Sequence, residues 1–320
     1  MTDNEASTQN EILPPAPRAQ SGSRRIFIGP HGLRAGWRLA LFVLIMIGLS
    51  VVLNAVVSLL GGGAISTNLK QITPLQLAAL EGALLFYTAG AAWIMAKIEG
   101  RKFGQYGLPA SQALRKDFWV GLLWGFLTTS VTLLAIFAFH GVRLTGPTIH
   151  GATVLTSALA WTLTFLVVGL SEEFSFRGYA QFTLTTGMGF WPSALALSAL
   201  FGFAHKGNSG ENLFGELSVV LFGLLFCLFL RRTGNLWWAV GFHMGYDWGQ
   251  TFFYGVPDSG LLPYHNFFSA SFSGPRWLTG GTVGPEASVF TPIALCIVGI
   301  LFSLKYREVR YRPLSSSSSL

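Results

Sequence analysis

Ionisable side chains inside otherwise apolar segments are the part of this sequence that could do chemistry. They fall into three successive groups: Glu172, Glu173 and Arg177, then His205, then His243 and Asp247. A charge at membrane depth is costly and is usually retained for a function. Carboxylates and imidazoles are also common proton-transfer groups in catalysis. These residues therefore form the candidate active site.

The spacing within the first and last groups predicts two ion pairs on helices. Glu173 and Arg177 are four residues apart with the acid first, which places them on one helix face. His243 and Asp247 repeat this spacing, so the carboxylate can orient the imidazole. Glu172 has no partner at this spacing and is the freer carboxylate. The alternative for each group is structural, either as charges that reach water at a span end or as a pair that holds helices together.

A second imidazole, His205, completes a set of groups that could hydrolyse an amide. Phe201 lies one turn before His205 on the same helix face. Glu172 with His205 would activate a water molecule, and His243 would stabilise the tetrahedral oxyanion. The same three side chains could instead bind zinc, as two His and one Glu do in several hydrolases. Because the chain has no HExxH signature, we rank metal-free water activation ahead of zinc and expect no other cofactor.

The elements that must position these residues have the composition of a membrane protein. Of the 320 residues, 51% are hydrophobic and 11% are charged, against about 25% charged in soluble domains. The sequence predicts an all-α transmembrane bundle at residues 33–304, with a buried active-site cavity. About eight apolar runs are long enough to span a bilayer: Trp37–Leu60, Leu75–Ala96, Phe118–Phe139, Val154–Phe176, Phe190–Ala204, Leu213–Leu230, Leu236–Tyr254 and Phe290–Leu304.

The distribution of basic residues predicts the orientation of this bundle. Most Lys and Arg residues precede the first run, lie in the second connection or follow the sixth and eighth runs. The alternate connections carry only Lys70, Arg143, Lys206 and Arg276. Because cytoplasmic loops are enriched in Lys and Arg, we expect both termini in the cytoplasm. The +7 net charge is thus a signal of topology in a cell membrane, for which a bacterial inner membrane is favoured, with lipids and not nucleic acid as partners.

The ends of the chain and one long connection are predicted to lie outside the bundle. Residues 1–32 are polar and contain several prolines, which predicts a disordered cytoplasmic tail. Residues 305–320 form a cytoplasmic C-terminal tail with a low-complexity Ser run. The connection at residues 255–287 is predicted to rest on the outer membrane face, with gating of the site as the alternative.

Taken together, the three groups resemble the motifs of a protease family. Residues 172–177 (EEFSFR), 201–205 (FGFAH) and 243–247 (HMGYD) resemble the EExxxR, FxxxH and HxxxN/D motifs of the CPBP family. These intramembrane endopeptidases are similar in their core to the type II CAAX prenyl endopeptidase. The resemblance places a protease core at about residues 154–250.

The resemblance implies a role for each motif residue. Glu172 with His205 would activate water, and His243 with Asp247 would bind the oxyanion. The supporting residues would be Glu173, Arg177 and Phe201. The prenyl endopeptidases have Asn where this chain has Asp247, and Asp donates a hydrogen bond only when protonated. We therefore expect Asp247 to pair with a cationic His243.

These observations favour an intramembrane endopeptidase that cleaves a peptide or a lipidated, CAAX-type protein tail presented at the cytoplasmic side. Family members have been described both as metalloproteases and as glutamate-dependent proteases, so a zinc-dependent enzyme using the same residues stays open. A non-catalytic scaffold, immunity protein or small transporter, stabilised by its buried charges, also stays open. All motif positions are filled, which favours the enzyme. The sequence favours no particular oligomeric state.

Overall fold

The computed structural model describes residues 26–29, 32–60, 62, 71–210 and 212–314. Most of the predicted N-terminal tail and the terminal Ser run lie outside the described residues. Ten described α-helices matter below: α1 (Ala35–Leu59), α2 (Pro74–Ile98), α3 (Lys116–Ala138), α4 (Ala152–Arg177), α5 (Tyr179–Met188), α6 (Phe190–Ala204), α7 (Leu213–Thr233), α8 (Trp237–Trp248), α9 (Arg276–Thr279) and α10 (Phe290–Lys305). Two short antiparallel pairs join β1 (Ile28–Gly29) to β2 (Gly32–Leu33) and β3 (Val142–Thr145) to β4 (Ser269–Phe272).

The predicted all-α membrane bundle is confirmed. Five helices of the described part are long and apolar enough to cross a membrane, with α4 and α5 counted as one. They are α1, α2, α3, α4–α5 and α7. The shorter helices α6, α8 and α10 coincide with the other predicted apolar runs, and α8 continues as a π-helix over Gly249–Tyr254. The apolar runs therefore indicated where these helices lie.

Two glycines shape the chain where it passes through the site. Gly178 separates α4 from α5, with φ −79° and ψ −126°. An added Cβ at Gly178 would overlap the carbonyl oxygen of Phe174. Gly189 has φ +84° and turns the chain from α5 into α6, a conformation that glycine adopts without steric cost. The helix bearing the first motif group is therefore followed by α5 and then by a tight turn into α6, which ends at His205.

The connections gather at two opposite ends of the bundle. At one end the chain pairs Arg310 with Arg231 and Leu236 with Gly107 through backbone hydrogen bonds. We name this end the basic face, because it carries most of the described Lys and Arg residues: Arg34, Arg38, Lys97, Arg101, Lys102, Arg115, Lys116, Arg231, Arg232, Lys305, Arg307, Arg310 and Arg312.

The other end, which we name the opposite face, is formed by a second set of connections. Strands β3 and β4 pair there, and Gln71 forms a bridge to Leu262. The backbone N–H of Gly260 donates to the carbonyl oxygen of Val283 at 2.9 Å. The connection at residues 255–287 thus lies on this face and is held by neighbouring segments; that this face is the outer one stays a prediction.

Helices α3 and α8 make a close backbone contact through small residues. Added Cβ atoms at Gly121 and Gly125 of α3 would overlap carbonyl oxygens of α8, and those at Gly241 and Gly245 of α8 would overlap carbonyl oxygens of α3. Small residues four apart permit this approach of membrane helices. The contact fixes α8, the helix that bears His243 and Asp247.

We expect Gly125→Ala to destabilise the bundle, because its Cβ would overlap the carbonyl oxygen of Phe242. Overpacking of this kind costs about 1–3 kcal/mol. The matched control is Gly48→Ala in α1, where no atom lies within 4 Å of the added Cβ. Thermal unfolding in detergent should show a lower midpoint for Gly125→Ala alone; equal midpoints would contradict the close α3–α8 contact.

Candidate active site

The predicted Glu173–Arg177 ion pair lies in the interior of the bundle. Nη1 of Arg177 is 3.5 Å from Oε1 of Glu173, and both side chains are fully buried. The guanidinium also lies over the ring of Phe201, 4.3 Å from its centroid. A buried charge is stable only when it is paired. The pair and the aromatic ring therefore join α4 to α6.

Glu173 also holds His243, which lies 70 residues later in the chain. Nδ1 of His243 donates to Oε1 of Glu173 at 2.9 Å. The contact is possible because α4 approaches α8 at Gly169, where an added Cβ would lie 3.0 Å from the carbonyl oxygen of Val240. The ring of His243 also stacks on Phe226, with centroids 5.4 Å apart. Glu173 thus fixes the imidazole at Nδ1, and Phe226 fixes it at one face of the ring.

The other nitrogen of His243 faces two more carboxylates. Nε2 lies 3.6 Å from Oε2 of Glu172 and 3.3 Å from Oδ2 of Asp247. The predicted His243–Asp247 pair is therefore present. The protonated ring donates from both nitrogens. This form can pair with Glu173 at Nδ1 and with Asp247 at Nε2. The 3.6 Å separation leaves the Glu172 carboxylate without a hydrogen bond to this ring.

Glu172 and Glu173 are neighbours in sequence but lie in different environments. The Glu172 side chain is 18% exposed, whereas that of Glu173 is fully buried. The cause is the rotation of about 100° between successive residues of a helix, which turns one acid into a cavity and the other into the core. This agrees with the prediction that Glu172 is the freer carboxylate.

His205 is placed on the same cavity, at the end of α6. Its Nδ1 lies 2.8 Å from the carbonyl oxygen of Phe201. A carbonyl oxygen only accepts, so Nδ1 carries the proton and Nε2 of the neutral ring keeps its lone pair. The ring packs edge-on against Phe201 at 4.6 Å. His205 and Glu172 both lie in the described part of the chain, and no hydrogen bond or ion pair joins them.

The cavity that these residues share has a volume of about 1040 Å³. It is lined by Glu172, His205, His243 and Asp247 among apolar side chains from α1, α2, α4, α6 and α7. This volume is at the upper end of the range of ligand pockets, about 300–1,000 Å³.

The cavity is also lined by three carboxylates that the sequence analysis did not assign to the site: Glu81, Asp258 and Glu286. Glu81 lies in α2, and a carboxylate inside an apolar run was the signal that could have identified it. Asp258 and Glu286 come from the connection at residues 255–287, where acids are ordinary and carry no such signal.

Asp258 and Glu286 anchor this connection beneath the opposite face. Nε2 of Gln250 donates to Oε1 of Glu286 at 2.9 Å and lies 3.3 Å from Oδ1 of Asp258. The hydroxyl of Thr251 donates to Oδ2 of Asp258 at 2.8 Å. Burial raises the pKa of Asp258 well above its usual range, and the nearby carboxyl groups of Asp247 and Glu286 raise it further.

The residues proposed as zinc ligands can be tested against this geometry. Both ring nitrogens of His243 face carboxylates, and Nδ1 of His205 faces a backbone carbonyl. Among the described residues, no group of three His, Cys, Asp or Glu side chains is arranged to hold a metal ion. Both histidines are held through Nδ1 by a protein oxygen, as zinc-ligating histidines usually are, so zinc bound by Glu172, His205 and His243 stays an alternative that a zinc measurement decides.

Comparison with known proteins identifies the same part of the chain. Residues 153–249 match the model of a family described as type II CAAX prenyl endopeptidase Rce1-like. The matched segment contains all three motif groups, from Glu172 to Asp247. No curated protein matches the chain.

We expect Glu173→Ala to unfold the protein more readily than Glu172→Ala. Removing Glu173 leaves the fully buried Arg177 guanidinium unpaired, which costs about 3–5 kcal/mol. Glu172 is partly exposed to the cavity and has no such partner. Thermal unfolding of the two purified variants is the measurement, and equal losses of stability would show that Glu173 has no special structural role.

The raised pKa of Asp258 predicts a dependence of stability on pH. A carboxyl whose pKa is higher in the folded state stabilises the fold below its unfolded value of about 3.9, and this contribution is lost as pH rises through the folded value. The unfolding midpoint of the wild type should therefore fall from weakly acidic to alkaline buffer, and this fall should be smaller in Asp258→Asn. Glu308→Gln, at a side chain 76% exposed, is the control and should keep the wild-type slope; an unchanged slope in Asp258→Asn would contradict the prediction.

Proposed function

We propose that this chain, which belongs to the CPBP family of intramembrane proteases through its residues 153–249, hydrolyses a peptide bond of a membrane-associated or lipidated substrate. The observation that carries the proposal is the placement of Glu172. It is a partly exposed carboxylate of the apolar helix α4, inside a large cavity shared with two imidazoles. The coarser conclusion, a membrane protein of a peptidase family, follows from the apolar helices and the family match.

Glu172 and His205 are proposed to activate the attacking water. Each presents a proton acceptor to the cavity. In Glu172 it is the carboxylate; in His205 it is the lone pair of Nε2, because the proton of the neutral ring is on Nδ1 and is donated to the Phe201 carbonyl. A water molecule between them could lose its proton to one group as it attacks the scissile carbonyl. The same group would then return the proton to the leaving amine.

His243 is proposed to stabilise the oxyanion of the tetrahedral intermediate. Its Nδ1 is held by Glu173, while its Nε2 is directed toward the cavity beside Glu172 and Asp247. An N–H donor that is fixed before the reaction stabilises the developing charge without reorganisation. Asp247 lies 3.3 Å from Nε2 and is proposed to orient the ring rather than to donate to the substrate.

The shape of the cavity supports a substrate that comes from the membrane. Val43 of α1 is 40% exposed and Leu200 of α6 is 53% exposed, and both line the cavity. Helix α1 packs against α2 and α5, whereas α6 packs against α5 and α7. The cavity therefore reaches the lipid side of the bundle between α1 and α6, where an acyl or prenyl chain could lie.

We expect cleavage of a quenched peptide library to fall by about 10²- to 10⁴-fold in Glu172→Gln and His205→Gln, because each removes a proton acceptor. The control is Lys206→Gln, an exposed neighbour of His205, which should cleave like the wild type. The measurement is the initial rate for purified protein reconstituted in lipid vesicles. Wild-type rates in both variants would exclude the proposed site and place the cleavage at other residues.

Bound zinc is measured in the same preparations to separate the two mechanisms. Metal-free activation predicts cleavage that persists in a chelator and no stoichiometric zinc. Zinc that binds in a 1:1 ratio and is lost in Glu172→Gln and His205→Gln would favour the metalloendopeptidase.

A further inference from the structure

We propose that the active-site cavity opens to the non-cytoplasmic side of the membrane, so that the peptide segment to be cleaved enters from that side. The substrate would be a membrane-anchored peptide whose scissile segment lies outside the cytoplasm. This inference rests on the proposed function for its substrate, but the direction of opening rests on the architecture alone. It is opposite to the cytoplasmic presentation that the resemblance to CAAX endopeptidases suggests.

The cavity is closed toward the basic face by a polar cluster around Glu99. The Glu99 carboxylate accepts hydrogen bonds from Arg38 at 2.9 and 2.7 Å, from Tyr106 at 3.0 Å and from Tyr179 at 2.6 Å. Arg101 lies 3.3 Å from the same carboxylate. These residues tie the start of α1 to the end of α2, to the following connection and to α5.

Aromatic side chains complete this closure. Phe42, which lines the cavity, stacks on Tyr179 with centroids 4.6 Å apart. Tyr106 packs edge-on against Tyr179 at 5.0 Å and is fully buried. A peptide could reach Glu172 from the basic face only by breaking this cluster.

Within the described part of the chain, the connections that line the cavity all belong to the opposite face. They contribute Ile72 before α2, Gly207, Asn208 and Ser209 after α6, and Asp258, Ser259, Leu261, Leu262, Pro263 and Glu286 after the π-helix. Ser209 is exposed and Leu262 is 47% exposed. By contrast, no residue of the connections at 99–115, 234–236 or 306–314 lines the cavity. Its mouth is therefore at the opposite face.

The charge difference between the two faces determines which side of the membrane this mouth occupies. The basic face carries the long set of Lys and Arg residues given above, whereas the described connections of the opposite face carry only Arg143, Lys206 and Arg276. An excess of Lys and Arg marks cytoplasmic loops. The basic face is therefore cytoplasmic, and the mouth, at the other end of the same helices, is not.

The experiment labels single cysteines with a membrane-impermeant maleimide. Ser209→Cys and Leu262→Cys report on the mouth, and Ser111→Cys, which is exposed on the basic face, reports on the other side. Each is made with Cys296→Ala, because Cys296 is exposed and Cys227 is buried. Labelling is compared in right-side-out and inside-out membrane vesicles of the expressing cells.

We expect both mouth cysteines to be labelled in right-side-out vesicles only, and Cys at position 111 in inside-out vesicles only. Labelling of the mouth cysteines in inside-out vesicles only would overturn the proposed orientation. Labelling of all three positions from one side would overturn the two-faced architecture. Neither readout depends on cleavage, so the result stands whether or not the chain is a protease.

A second measurement connects the mouth to substrate entry. Reaction of the Ser209→Cys protein with a bulky maleimide should block cleavage, whereas the same reaction with the Ser111→Cys protein should leave cleavage unchanged. Full activity after complete labelling at position 209, or loss of activity on labelling at position 111, would show that the substrate does not enter through this mouth.

Discussion

The buried Arg177 guanidinium is the interaction on which the site depends. It has no route to water and its direct charge partner is Glu173, whose carboxylate also accepts from Nδ1 of His243. Within the described structure, Nε and Nη2 of Arg177 have no hydrogen-bond partner, but the ring of Phe201 lies over the group and offers its negative face. One charge thus positions residues of three helices.

This arrangement explains why small residues surround the guanidinium. An added Cβ at Gly223 of α7 would lie 2.6 Å from Nη2 of Arg177 and 2.7 Å from the hydroxyl of Ser198. A larger side chain at either position would displace the cation from Phe201 or from Glu173. The cost of burying the charge is therefore offset by contacts that only close helix packing provides.

The contacts within one helix could be predicted from the sequence, because helical geometry fixes them. The spacing of Glu173 with Arg177 and of His243 with Asp247 is sufficient for that purpose, and apolar runs indicated the helices themselves. The Glu173–His243 hydrogen bond could not be predicted, since it depends on how α4 and α8 approach at Gly169. Spacing carries no information about the rotation of two helices relative to each other.

The proposed side of opening combines two sequence signals, the basic residues and the motifs, and neither signal states it alone. The basic residues predicted the topology, and the motifs predicted the site, yet the depth of the motifs along their helices was compatible with a cavity near the cytoplasm. The closure around Glu99 and the lining segments after α6 and α8 are the observations on which we base the choice between the two ends. Water and substrate would then reach Glu172 from the same side, because a cavity closed at one end has one aqueous entrance.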